Sequence, residues 1–143
     1  MSFHDVALVN MHDFSQSRRE LGAGFARILG YFREDGTKSV LAIEEAVRQG
    51  NAAALVIPAH TLKGESRQFG AQRLSEMAEM IEVTARRCVE THDSPEELIE
   101  TVVALRSCFL ETLATLERDS SPLVSRGPTG FGRRPERASF GRA

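Results

Sequence analysis

"FARILGYFREDGTKSVLAIEEAVRQG", residues 25–50, decides the architecture, because it reads either as one long helix or as two helices broken at Asp35-Gly36. Phe25, Ile28, Leu29, Phe32, Val40, Ile43 and Val47 step by three or four, and the helical phase carries straight through the Asp-Gly pair, with Gly36 filling the gap. A glycine inside a helix costs about 1 kcal/mol, which a continuous apolar stripe readily offsets. The stretch is therefore read as one helix. Gly50 ends it, in the usual place for a left-handed residue after a helix.

The same period governs the chain on both sides. Upstream, "HDFSQSRREL" (12–21) predicts a short amphipathic helix, set apart by Gly22 and Gly24. Downstream, Asn51 is placed to cap a third helix whose inward stripe is Leu55, Ala59, Leu62, Ser66 and Phe69, closed by Gly70. A fourth follows on Leu74, Met77, Ala78, Ile81, Ala85 and Cys88. In "THDSPEEL", Ser94 has the character of an N-cap, Pro95 suits the first helical position, and Glu97 completes a capping box. The fifth helix then runs to about Glu117 on Leu98, Val102, Leu105, Phe109, Leu113 and Leu116. No alternating β pattern occurs. The expected fold is all-α: an antiparallel four-helix bundle with a short N-terminal helix covering one end.

Composition sets the boundaries of this unit. Residues 1–119 carry 13 Lys and Arg against 19 Asp and Glu, a charge of −6, while 120–143 carry five Arg and one Glu, a charge of +4, together the chain's −2. Residues 1–119 are thus expected to form the bundle, and the Gly/Pro/Ser/Arg-rich 120–143 a disordered basic tail. An acidic body is not a nucleic-acid-binding domain. No apolar run approaches the roughly 18 residues that span a bilayer, and "MSFHDVALVNMHD" lacks the basic and apolar regions of a signal peptide. The expectation is a cytoplasmic monomer that binds neither nucleic acid nor membrane. Cys88 and Cys108 fall on inward stripes and read as small buried apolar residues.

Chemistry concentrates in "AHTLKGESRQFG", residues 59–70. His60 lies one position off the buried stripe, toward solvent, and Lys63, Gly64 and Arg67 share its face at i+3, i+4 and i+7. A neutral exposed imidazole is a nucleophile near pH 7. Lys63 supplies a cation one turn away, and Gly64 removes the side chain that would crowd the ring. The plain alternative is a solvated face with a glycine kept for close helix packing. His4, His12 and His92 show no metal-ligand spacing, and "GTKS" (36–39) lacks the residue order of a phosphate loop.

"AHTLKG", followed by Phe69-Gly70-Ala71, Leu74 and "MIE" at 80–82, resembles the histidine-containing phosphotransfer (HPt) domains of two-component phosphorelays. The family pattern maps onto His60, Lys63, Gly64, Gly70 and Leu74, and the five-helix outline extends the likeness over 13–118. The resemblance implies that His60 accepts a phosphoryl group from a receiver-domain aspartate of a hybrid histidine kinase and passes it to the receiver domain of a response regulator. It implies no cofactor in this chain, the Mg²⁺ belonging to the partner receiver. It also implies that Glu82, at a position the family often fills with Gln or Glu, accepts a hydrogen bond from Nδ1 of His60 and leaves Nε2 to attack. Arg67 is placed on the same partner-facing surface. Two features depart from the pattern and bear on partner choice: Pro58 inside the third helix, expected to kink it, and Glu65 where the family has a small residue. The chain is expected to be a transfer module without kinase activity. The rival reading is a helical adaptor that binds a receiver or kinase without being phosphorylated. A small adaptor whose basic tail touches a membrane or nucleic acid is a third.

Overall fold

The computed structural model describes residues 3–119, and the segment 120–143, read above as a disordered tail, lies outside them. Five α-helices follow one another: α1 (Met11–Leu21), α2 (Phe25–Arg48), α3 (Ala53–Gln68), α4 (Gln72–Thr91) and α5 (Ile99–Asp119). Helices α2 to α5 form the bundle, each packed on its neighbours in the order α2, α3, α4, α5 and back to α2. The described residues include no strand.

α2 is one helix, as the unbroken phase at Asp35-Gly36 predicts. The glycine has a packing reason. A Cβ at Gly36 would sit 2.5 Å from Cε1 of Phe109, so the ring lies directly on bare α2 backbone. At the far end Gly50 takes φ +65, and the amide of Asn51 bonds back to the carbonyl of Ala46 at 2.9 Å. Asn51 then accepts the amide of Ala54 at 3.1 Å and caps the start of α3, which runs on through Pro58 without interruption.

Every stripe residue named for α3, α4 and α5 is buried. The rings of Phe14, Phe25, Phe69, Phe32 and Phe109 form a chain with centroids 5.2 to 5.8 Å apart, linking α1, α2, the α3–α4 turn and α5. Such contacts are worth about 0.5–1.5 kcal/mol each beyond their burial. α1 covers one end of the bundle, as expected. Its cap is Asn10, whose side chain accepts the amide of Asp13 and whose own amide donates to the carbonyl of Gly70 at 2.7 Å. Gly70 has φ +70, and a Cβ there would lie 2.9 Å from the carbonyl oxygen of Asn10.

The entry to α5 differs from the expected capping box. α4 ends on His92 in the left-handed conformation, and Glu96–Leu98 form a 3-10 turn before α5 begins at Ile99. No side chain caps that turn. Glu97 instead reaches back to pair with Arg87 on α4, and the amide of Leu98 bonds to the carbonyl of Pro95 at 3.0 Å. The i→i+3 geometry of the turn, together with the pull of Arg87, replaces the reciprocal bonds between Ser94 and Glu97.

Gly36→Ala gains up to about 1 kcal/mol of helix propensity yet is expected to destabilise the fold by about 1–3 kcal/mol, because the new methyl group meets the Phe109 ring. Urea denaturation checks this. Phe109→Leu in the same chain should make the glycine substitution less costly; a Gly36→Ala midpoint at or above wild type rules out the close contact.

Candidate functional site

The site forms where α3 and α4 lie side by side. Glu82 projects from α4 into this seam with its side chain only 7% exposed. A lone carboxylate in such a place is strongly unfavourable, and three groups answer it. His60 Nδ1 lies 3.0 Å from Glu82 Oε2. Lys63 Nζ lies 2.8 Å from Oε1. Arg86, one turn further along α4, places Nε at 3.0 Å and a terminal nitrogen at 2.8 Å from Oε2. Burial alone pushes the Glu82 carboxyl upward, but the bonds from Lys63, Arg86 and His60 together outweigh it and hold the group at about 2.

That charge fixes the imidazole. An ionised carboxylate only accepts, so Nδ1 of His60 must carry the hydrogen, and in the neutral ring Nε2 then keeps its lone pair. The ring is 60% exposed. Gly64 is exposed one turn on, and a Cβ built there meets nothing within 4 Å. Close helix packing therefore does not account for this glycine, in contrast to Gly36. Its effect is to leave open backbone beside the ring.

The residues singled out from the sequence divide in two. His60, Lys63 and Glu82 come together in direct contact. Arg67 shares their face but is ion-paired across to Glu79 on α4, and makes no contact with Glu82. Arg86 was not singled out. Its spacing of four after Glu82 is the available signal, and such pairs are common on solvated helix faces. Glu65 lies on the other flank of α3, toward α2, and has one carboxylate oxygen shielded from solvent without a hydrogen-bond partner. Among the described residues no cluster of His, Cys, Asp or Glu is arranged to hold a metal ion, and no helix is long and apolar enough to cross a membrane.

The bundle thus carries an exposed histidine that faces a carboxylate of the next helix. A family model described as the Hpt domain matches residues 27–118, well over half of the chain, and the chain belongs to this family. Hpt domains carry out phosphotransfer in two-component systems and interact with receiver domains. Comparison with curated proteins and with solved structures yields no match.

Because Glu82 is held below its ordinary value of 4.5, it binds its proton more weakly folded than unfolded. Its contribution to stability is fully present above pH about 4.5 and is lost as pH falls toward about 2. Glu82→Gln should remove this part of the acid dependence, so wild-type and variant stabilities, measured by urea melts from pH 6 to 2.5, should converge as the pH drops. Parallel curves over that range mean that Glu82 is not the ion the geometry describes.

Proposed function

We propose that His60 is the phosphoacceptor of a phosphorelay intermediate. Nε2 attacks the phosphorus of a receiver-domain aspartyl phosphate. The N–P bond forms as the P–O bond to the aspartate breaks, and the electron pair leaves with the partner's carboxylate. The neutral imidazole becomes positively charged in this step, and the Glu82 carboxylate at Nδ1 offsets that charge where it develops. The reverse step delivers the group to the aspartate of a second receiver. The partner supplies Mg²⁺, and this chain contributes orientation, as phosphoryl transfer requires. On this reading the donor is the receiver domain of a hybrid histidine kinase and the acceptor is a response regulator.

The observation that carries the proposal is the pairing of an exposed ring held at Nδ1 with an unobstructed Gly64. A non-phosphorylated adaptor would have no use for a fixed tautomer. Lys63 has two roles in the proposal: it holds Glu82 Oε1 in the resting protein, and it turns to the phosphoryl oxygens once they arrive, while Arg86 stays on the carboxylate.

Incubation with receiver domains phosphorylated by acetyl phosphate tests the assignment. Wild type should acquire an acid-labile phosphate that maps to His60. His60→Gln should acquire none and melt like wild type. Gly64→Gln should be as stable or slightly more so, by up to about 1 kcal/mol, with transfer reduced by orders of magnitude. Normal transfer to Gly64→Gln shows that nothing closes over this backbone.

Lys63→Ala should slow transfer or shorten the life of the phosphohistidine, and it should also lower stability, because it strips a cation from a buried carboxylate. Adding Glu82→Gln should restore the stability without restoring transfer, and the two readouts separate the roles. A Lys63→Ala protein with unchanged transfer and unchanged hydrolysis places the lysine outside the chemistry.

A further inference from the structure

Across Gly64 from His60, the flank of α3 that meets α2 carries an unsatisfied acid. Glu65 follows His60 by five residues, about 7.5 Å along the helix and about 140° around it, and Gly64 lies between them on the open face. Glu65 borders a notch of about 210 Å³ walled by Ile28, Tyr31, Phe32, Gln68 and Phe69. Its Oε1 is shielded from solvent and has no hydrogen-bond partner. Asp35 on α2 adds a second carboxylate nearby, and neither acid is ion-paired with any lysine or arginine among the described residues. Burial first, and the charge of Asp35 second, push the Glu65 carboxyl upward. This is costly chemistry to keep within two turns of a nucleophile, and nothing in the fold uses it.

We infer that the notch receives a basic side chain of the docked receiver, whose charged head pairs with the Glu65 carboxylate while its stem lies against Tyr31, and that Glu65 is therefore a determinant of partner choice. The wall suits such a guest. Tyr31 is 53% exposed and offers a ring face to a guanidinium or an aliphatic stem. An incoming cation balances the charge of the Glu65 carboxylate and relieves the repulsion between Glu65 and Asp35. It also acts where an interface loop must pass, since a chain segment reaching His60 over the bare Gly64 backbone lies between the two flanks. Removing one partner of a desolvated charge pair at an interface typically costs tenfold or more in affinity. The inference rests on the proposed docking of a receiver over His60.

Two arms test it. In the first, the labelled full chain is titrated with N-acetyl-arginine amide and with neutral N-acetyl-glutamine amide, and its NMR spectrum is followed. The arginine compound should shift the signals of Tyr31 and Gln68, the glutamine compound should not, and Glu65→Gln should abolish the response; equal shifts from both compounds, or in both proteins, overturn the notch. In the second, phosphotransfer is measured from a panel of receivers phosphorylated by acetyl phosphate. For receivers that transfer well, Glu65→Gln should raise the half-saturating receiver concentration about tenfold, with the loss in KM and not in the maximal rate, and with melting no lower than wild type. A change under about twofold for every receiver overturns the role in partner choice. Failure of every receiver to phosphorylate wild-type His60 overturns the docking reading itself, and the first arm still decides whether the notch takes a cation.

Discussion

A carboxylate buried in a helix seam leaves little freedom to what surrounds it. Glu82 is nearly sealed between α3 and α4, and its ionisation is tolerable only while cations and hydrogen-bond donors are held against it. That requirement sets the register of the two helices. His60 and Lys63, three residues apart on α3, must both face Glu82, and Arg86 must stand one turn beyond it on α4. The interaction that joins the helices is therefore the one that orients the imidazole, so sliding α3 along α4 would disturb packing and chemistry together.

The two mid-helix glycines show how one sequence signal can have opposite physical causes. Gly36 is crowded: the Phe109 ring occupies the space its Cβ would take. Gly64 is empty, with nothing within 4 Å. Both cost helix stability, but at Gly36 the bundle itself recovers the loss through ring packing, whereas at Gly64 nothing inside the described protein does. On the proposed reading the recovery comes from outside, when a partner docks over this backbone.

Much of this was legible in the sequence because the chain is built from long helices. A period of 3.6 sustained over four or five turns specifies which residues are inward, and Leu55, Ala59, Leu62, Ser66 and Phe69 are buried as the period requires. Gly50 and Asn51 sit where local backbone chemistry alone demands them. The start of α5 was not legible, since Glu97 had two partners open to it, a reciprocal cap with Ser94 or Arg87 across the turn, and only the three-dimensional approach of α4 favours the second. Arg86 escaped for a related reason. An acid and a base four apart are unremarkable on a helix until the acid proves to be buried. Asn10 was missed as well, because its partner is the carbonyl of Gly70, sixty residues away.

The face around His60 is electrically uneven, and this has a consequence for how a partner approaches it. On the α4 side stand Lys63 and Arg86, gathered by Glu82, with Arg67 tied to Glu79. On the α2 side stand Glu65 and Asp35, neither ion-paired with a lysine or arginine among the described residues. Gly64 marks the boundary, contributing neither charge nor bulk. A phosphoryl group carries its negative oxygens to wherever it is held, and on the proposed reading it belongs on the cationic side of that boundary, over Nε2. A partner whose active-site rim is negative and whose flank is positive then matches the face in one orientation and clashes with it when turned about. Like charges placed together at an interface are more effective at excluding wrong poses than opposite charges are at tightening right ones. On the proposed reading, placing acids on the α2 side opposite cations on the α4 side gives a helical surface, which has little shape to offer, a means of setting the direction from which the receiver's aspartate reaches the histidine.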